Sequence, residues 1–394
     1  MKKLLVLCMA LIGLSAAAQQ GKPKKPAVPV NPDVMALDSI VKTYEKYIHE
    51  VNGLSATLSG IEKERAAAFL AGTYSLVMES YVDNGNPADP GLTEWMTKYR
   101  KFAGDNPYTI YTQSPVSIPF EYKLSGKIGN NIYFGLQMYS LKQGFNLPSA
   151  NIGLDDIKFN PDGTFEIYIS KDRPKDVQNW VPIREGDHCF LIRQYFRSRT
   201  YIQPSQLKIE RIDKNATGIQ VGLTTYVERL ENARKMLVDY IAGTIEINNI
   251  LRENAFNQYP KPDAKIMQPK YGGSMYPTKD NTYQGFWVSL KPGQAIHLHG
   301  KPPRAFYASY VFYDRWYQTP DYRKTNSFRT MDELSLNPDG TYDIYISPET
   351  IDHPNWINTG GLYEGSYSSR YMLSQDKEFP TVEVVKIKDI LKKQ

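Results

Sequence analysis

Apolar and polar positions change period along this chain, and the change divides it into helical and strand-forming stretches. From Ile132 to Tyr139 they alternate by two. Ile132, Phe134, Leu136 and Met138 fall on one face, and Tyr133, Gly135, Gln137 and Tyr139 on the other, which predicts a strand with two unlike faces. A second stretch puts Cys189, Leu191, Arg193 and Tyr195 on one face and Phe190, Ile192 and Phe196 on the other. Ahead of the strands the pattern is helical. Ser59 with Glu62, and Thr225 with Glu228, have the spacing at which a hydroxyl and a carboxylate cap a helix start reciprocally. Helices are predicted from there to about Val82 and about Asn254, with further helices near 34–51 and 91–102. Gly72 and Gly243 fall mid-helix, where glycine costs about 1 kcal/mol relative to alanine; a close approach of helix to sheet is the expected compensation.

The order of helix then strands occurs twice because the chain repeats itself. NPDGTFEIYIS from Asn160 returns as NPDGTYDIYIS from Asn337, an offset of 177. Asn179-Trp180 returns as Asn355-Trp356, Arg193 as Arg370 and Pro204 as Pro380. Upstream, Gly126-Lys127 returns as Gly300-Lys301, Asp105-Asn106 as Asp280-Asn281, and Ala71-Gly72-Thr73 as Ala242-Gly243-Thr244. The anchors keep their order while loop insertions shift the offset, as a tandem duplication requires. Each NPDG places Asn, Pro and Gly at the first, second and fourth positions of a type I turn, expected between two strands. The predicted fold is a strand-dominated α+β protein of two tandem related units, 33–222 and 223–394, each a helix followed by an antiparallel β-sandwich or jelly roll. Residues 257–279, rich in Pro, Gly and Tyr, make a connection of a length that is more often functional or mobile than idle.

The start of the chain has a separate character. Lys2 and Lys3, the apolar run Leu4–Leu14 and the small residues Ala16, Ala17 and Ala18 follow the layout of a secretory leader. The reading is a signal peptide over 1–18, a Pro/Lys-rich linker over 19–32, and a periplasmic or secreted mature protein. No later stretch has the roughly 20 apolar residues of a membrane helix. With Cys8 in the leader, Cys189 stands alone and no disulfide can close within one mature chain. The formal charge of +5 loses the two lysines of the leader to become +3, which Lys22, Lys24 and Lys25 of the linker account for. The folded body is near neutral, so the pI of 8.8 does not point to nucleic acid. The 29 Tyr and 5 Trp do change the picture, because these rings suit half-buried strands and ligand-facing surfaces alike.

Several short motifs in one order carry a family resemblance between about Asp105 and Asp213: Asp105-Asn106, Gly126, the NPDGTFEIYIS turn, Asn179-Trp180-Val181-Pro182, Leu191 to Phe196, and LKIERID from Leu207. This stretch resembles the family catalogued as domain of unknown function 1214, which is often paired with family 1254. Residues 280–390 look like a diverged second copy that keeps the turn, Asn355-Trp356 and Arg370, with Asn358 where the first copy has Pro182. The resemblance implies a β-sandwich and an envelope or secreted setting, and no particular reaction.

Candidate chemistry is sparse. The chain has no G-x-S-x-G elbow, H-E-x-x-H, P-loop or C-x-x-C pair, and nothing in it asks for a cofactor. His297 and His299 form an H-x-H whose imidazoles share one strand face, as a cupin-type metal site begins, yet no acid follows in Gly300 to Arg304. The expected reading is a hydrogen-bonded pair without metal. Asp155-Asp156 and Asp332-Glu333 read as solvated strand entries, and Cys189 as a small buried hydrophobe. Arg193 and Arg370 stand on strand faces suited to burial, so each guanidinium needs partners. These are a carboxylate or carbonyls near Asn179-Trp180 and Asn355-Trp356, or a ligand gripped beside the tryptophan. Tyr307 and Tyr313, in the places of Tyr133 and Tyr139, either stack a sugar ring or pack between units.

These residues define the expected function: an envelope-associated module that binds a carbohydrate or other polar ligand through Arg193, Asn179, Trp180, Tyr195, Arg370, Asn355, Trp356, Tyr307 and Tyr313. The alternative is an exported hydrolase or lyase with its site in the cleft between units. Export predicts that the intact mass of the mature protein begins at Gln19; a mass retaining residues 1–18 or carrying a lipid contradicts it.

Overall fold

The computed structural model describes residues 30–142, 145–213, 224–261, 276–376 and 378–390. The expected leader, most of the linker, the boundary at 222/223 and most of 257–279 lie outside the described residues. Helix α1 (Pro32–Ser55) starts at Asn31, whose side chain accepts the Asp33 N–H at 3.0 Å. Helices α2 (Gly60–Met78) and α3 (Tyr226–Asn254) open with the predicted capping boxes. Ser59 and Thr225 accept the N–H groups of Glu62 and Glu228, whose carboxylates accept in return from Ser59 and Thr225. α2 runs on into a π-helical turn, Glu79–Asp83.

Two helical expectations are corrected. A Cβ at Gly72 would meet Arg100 Cγ at 3.7 Å, an ordinary contact, so no close approach to the sheet explains that glycine. Residues 91–102 form no helix. Thr93–Glu94 is a short edge strand, β1, the Trp95 indole turns inward to donate to Gln113 at 2.6 Å, and the Thr97 hydroxyl takes the N–H groups of Tyr99 and Arg100. Threonine competing for backbone donors in this way favours a turn over a helix.

The first unit continues with β2 (Thr109–Pro115), β3 (Tyr122–Lys127), β4 (Tyr133–Lys142), β5 (Phe145–Gly153), β6 (Thr164–Ser170), β7 (Trp180–Pro182), β8 (Asp187–Tyr195) and β9 (Gln206–Arg211). The second has β10 (Asn281–Ser289), β11 (Gln294–Gly300), β12 (Tyr307–Tyr313), β13 (Phe328–Thr330), β14 (Tyr342–Ser347), β15 (Trp356–Asn358), β16 (Glu364–Met372), β17 (Thr381–Lys386) and a final turn, α4 (Ile387–Ile390). Strand order proves the duplication. One sheet runs β1-β2-β8-β4-β5 and its counterpart β10-β16-β12-β13; the other runs β7-β6-β3-β9 and its counterpart β15-β14-β11-β17. Even the parallel strand pair recurs, β6 with β7 and β14 with β15.

Each unit is a sandwich whose inner faces meet in an apolar core. In the first, Phe134, Leu136 and Met138 of β4 and Phe190 and Ile192 of β8 pack on Leu124 of β3 and Ile167 and Ile169 of β6. In the second, Ala308, Tyr310 and Phe312 of β12 pack on Leu298, Ile344 and Ile346. The two-residue alternation noted along 132–139 and 189–196 is this division between core face and outer face.

The NPDG turns form as expected, with Gly163 and Gly340 at φ 82° and 80° and their N–H groups donating to Asn160 and Asn337 at 2.9 Å. They differ in place. The chain before each turn crosses from one sheet to the other, so the turn opens β6 or β14 and does not close a hairpin. Asp156 and Glu333 cap the short helical turns ahead of them by accepting the N–H groups of Gly153 and Thr330. Asn179 and Asn355 pin the crossing. Asn355 accepts the Ser335 N–H and donates to the Ser335 and Asp343 carbonyls, and Asn179 does the same with Lys158 and Glu166. Asn355→Ala would strand three part-buried backbone groups, so urea unfolding should show a loss of about 1–3 kcal/mol; a loss under about 0.5 kcal/mol would mean that the crossing holds without the clamp.

Candidate functional site

The outer faces of the two main sheets turn toward one another. Tyr108, Tyr133 and Tyr195 of the first unit share one cluster with Tyr307, Val311, Tyr313, Phe328 and Met372 of the second, and the rings of Tyr195 and Tyr307 meet edge to face at 5.2 Å. The remainder of the first unit's outer face, Tyr111, Tyr139, Cys189 and Leu191, is covered by α2, the π turn and α3. Because the two faces are duplicates, the contact has the form of a two-fold interface within one chain.

Arg193 of β8 and Arg370 of β16 stand in the middle of this contact, 5% and 6% exposed. The tyrosines around them match between the units. Register sets Tyr111 beside Arg193 and Tyr283 beside Arg370. The guanidinium carbon of Arg193 lies 5.8 and 5.9 Å from the rings of Tyr111 and Tyr139, and that of Arg370 lies 5.9 and 5.8 Å from those of Tyr283 and Tyr313, within cation–π range. Arg193 donates to the Tyr139 hydroxyl at 2.9 Å and to the Tyr276 carbonyl at 2.7 Å. Arg370 donates to the Tyr313 hydroxyl at 2.7 Å and to the Gly104 carbonyl. Each arginine is thus held by a phenol of its own unit and a carbonyl of the other. Tyr276 is itself fixed by Tyr81 of the π turn and Tyr240 of α3, whose hydroxyls lie 3.1 and 2.7 Å from its own.

No carboxylate among the described residues pairs with either arginine. The recurring aspartates bind elsewhere across the interface: Asp105 accepts from the Thr319 N–H at 2.9 Å, and Asp280 from Asn151 at 3.1 Å and from the Tyr133 hydroxyl. The phenols supply no charge either. Burial pushes Tyr111, Tyr139 and Tyr313 above the ordinary tyrosine range despite the lowering effect of the arginines. Both guanidiniums line one cavity of about 30 Å³ together with Trp95, Tyr111, Tyr195 and Tyr283, and Nη1 of Arg193 and Nε of Arg370 have no hydrogen-bond partner among the described residues. The arrangement is a pair of preformed, buried donors that lack an acceptor.

Of the candidate residues, the structure brings Arg193, Arg370 and Tyr195 to this cavity and Tyr313 onto Arg370. Tyr307 and Tyr313 are 1% and 0% exposed, so they pack between the units and offer no sugar-stacking surface. Asn179, Trp180, Asn355 and Trp356 are elsewhere. They lie at the edge strands β7 and β15 of the opposite sheets, where the Trp180 indole donates to Ser170 at 3.1 Å and the Trp356 indole to the Ser347 carbonyl at 3.3 Å. The expected arginine-beside-tryptophan grip does not form, because Arg193 and Arg370 face away from the sandwich core that separates the two sheets. The carbonyls that serve the arginines come from Tyr276 and Gly104. Tyr111, Tyr283 and Tyr276 were missed by pattern reading; Tyr139 was accessible through its repeat partner Tyr313. Cys189 is buried with its thiol pushed up by burial, as a small hydrophobe should be. His297 and His299 lie on the outer face of the β15-β14-β11-β17 sheet.

A duplicated β-sandwich protein with paired arginines buried between its copies is the class that fold and site define. The chain belongs to the family described as Protein of unknown function (DUF1214), which matches residues 102–200 and 273–376, once in each unit. An uncharacterised protein from Burkholderia cenocepacia has the same fold, with a TM-score of 0.81 at 21% identity over 90% of this chain and 97% of that one. The VPA0106 protein from Vibrio parahaemolyticus aligns over 90% of this chain and 100% of its own, at 12% identity and a TM-score of 0.46. No curated protein matches the chain. No helix among the described residues is long and apolar enough to cross a membrane.

The symmetry of the site predicts symmetric mutants. Tyr139→Phe and Tyr313→Phe each remove one acceptor from a buried guanidinium and should each lower unfolding free energy by about 1.5–3 kcal/mol. Denaturant melts in which only one variant is destabilised would show that the two arginines are not equivalently held.

Proposed function

We propose that the protein is an exported binding module whose ligand is a small anion, held by Arg193 and Arg370 where the two units meet. The observation that carries this reading is the pair of buried guanidiniums that line one shared cavity, each with an N–H group unpartnered among the described residues and no carboxylate there to pair with it. Each arginine makes two charge-assisted hydrogen bonds, together about 3–6 kcal/mol, against a burial penalty of several kcal/mol per ion. The two nearly cancel, and the leftover donors and the net charge of the pair favour an anionic acceptor. Space sets the size. A cavity of about 30 Å³ exceeds what one water needs but is far below a sugar site, so the ligand class is a halide, a short carboxylate or a compact oxyanion. Among the described residues that line the cavity the titratable ones are arginines and tyrosines, with no carboxylate or imidazole to act as a general base, and this favours binding over hydrolysis or elimination. Export rests on the leader pattern of residues 1–18.

The test follows the melting temperature of the mature protein at constant ionic strength while chloride, formate, acetate or phosphate replaces a bulky organic anion. At least one should raise it saturably, as binding to the folded state requires. The saturable part should vanish in Arg193→Lys and Arg370→Lys, which keep charge but lose the fork. Equal, unsaturable effects of all anions on the native protein would refute the reading.

A further inference from the structure

The outer face of the second unit's β15-β14-β11-β17 sheet gathers metal-ligating side chains that the sequence keeps far apart. His297 and His299 of β11 share this face, with Asp343 of β14 opposite His299 and Glu383 of β17 opposite His297. Asp343 Oδ1 lies 2.7 Å from His297 Nε2 and 2.9 Å from His299 Nδ1. The donor atoms of the three residues all fall within 4.8 Å of one another, so two imidazole nitrogens and a carboxylate oxygen converge on one point. The outer partners of a metal site are also present. Glu383 Oε1 is 2.8 Å from His297 Nδ1 on the far side of the ring, and Asn337 donates to Asp343 Oδ2 at 2.8 Å. The His297 ring is held further by stacking on Tyr345, 4.8 Å between centroids and 15° between planes.

The first unit supplies an internal control. Aligned by strand register, Lys123 takes the place of His297, Ser125 that of His299, Glu166 that of Asp343 and Glu210 that of Glu383. There the Lys123 ammonium sits 3.1 Å from Glu166 Oε1, so a covalently attached cation neutralises the acidic face. The second unit retains both acids and replaces that cation with an imidazole, then adds a second imidazole one strand step along. Where the first unit has a fixed positive charge, the second has a set of nitrogen and oxygen donors around the same spot.

We propose that His297, His299 and Asp343 bind a divalent transition-metal ion of the zinc type, with Glu383 orienting His297 through Nδ1. Two imidazoles and one carboxylate suit Zn²⁺, Ni²⁺ or Cu²⁺ and not Ca²⁺ or Mg²⁺, and the exposed side of His299 leaves the remaining position to water. The site is separate from the arginine cavity and does not depend on its reading.

The experiment is isothermal titration of the chelator-treated mature protein at pH 7.5 with Zn²⁺, Ni²⁺, Mg²⁺ and Ca²⁺, together with visible absorption after Co²⁺ addition. One equivalent of Zn²⁺ should bind, with the His297→Ala and His299→Gln variants weakened 10-fold or more and Mg²⁺ and Ca²⁺ giving no heat. The half-exposed His299 makes its variant a safe one for folding. Three results overturn the proposal: no stoichiometric Zn²⁺ binding, binding unchanged in both variants, or equal response to Mg²⁺. An unbound cluster in which Asp343 accepts from protonated imidazoles would give the first of these.

Discussion

The burial of two guanidiniums between duplicated sheets is the constraint around which the rest of this structure is arranged. A lone arginine taken out of water needs acceptors for a fork of five N–H groups, and neither sandwich can supply them all from its own outer face. Each unit provides a phenol, Tyr139 or Tyr313, and ring faces from the neighbouring strand. The missing acceptor comes from a carbonyl of the other unit. Separating the units would leave both charges short of partners and bare a large tyrosine surface, so the interface and the arginines stabilise each other. The helices take part in the same scheme. The π turn after α2 and the middle of α3 exist at the site as Tyr81 and Tyr240, and their hydroxyls hold Tyr276 where its carbonyl reaches Arg193.

Duplication explains why a single chain shows what is otherwise a homodimer's geometry. In an isologous interface, residue i of one copy contacts j of the other and j contacts i. The arginines follow that rule in outline, each taking a phenol of its own copy and a carbonyl of the other, but the carbonyls come from non-equivalent positions, Tyr276 and Gly104. The two aspartates also cross to non-equivalent partners, Asp105 to Thr319 and Asp280 to Tyr133 and Asn151. On the axis of such an arrangement, like meets like. Two arginines from equivalent strands therefore approach the same cavity by necessity, and each copy's charge is the other's problem.

Much of the fold was legible in the sequence, and the part that was not has a common cause. Capping boxes, alternation and the repeated NPDG turn are local, and they gave the helix starts, the inner and outer faces of β4 and β8, and the duplication. The burial of Arg193 was also legible, because its strand neighbours Cys189, Leu191 and Tyr195 are apolar. Its partners were not. Tyr276 lies 83 positions away, and Gly104, the partner of Arg370, precedes a strand of the copy that does not hold that arginine, so neither carbonyl shares a periodic pattern with its arginine. The same reason misplaced the tryptophans: Asn179-Trp180 recurs beside the arginines in sequence, but the chain changes sheet between them, and no residue pattern marks which sheet a short edge strand joins. The 91–102 stretch misled by composition. Its helix-compatible residues are overruled by Thr97 capping a turn and by Trp95, whose burial under the helices is worth more than a turn of helix.

The two copies have been held alike on one side and allowed to differ on the other. Facing each other, Arg193 and Arg370, Tyr111 and Tyr283, and Tyr139 and Tyr313 remain paired, because a change in either copy would unbalance a shared buried site. Facing outward, the equivalent sheets carry Lys123 and Ser125 in the first unit and His297 and His299 in the second, a change that costs little where water solvates the charges. The inner site is thus bound by symmetry to two like donors, while the outer faces of the two copies carry different side chains. That division follows from where each face sits: buried electrostatics couple the copies tightly, and solvent-screened electrostatics do not.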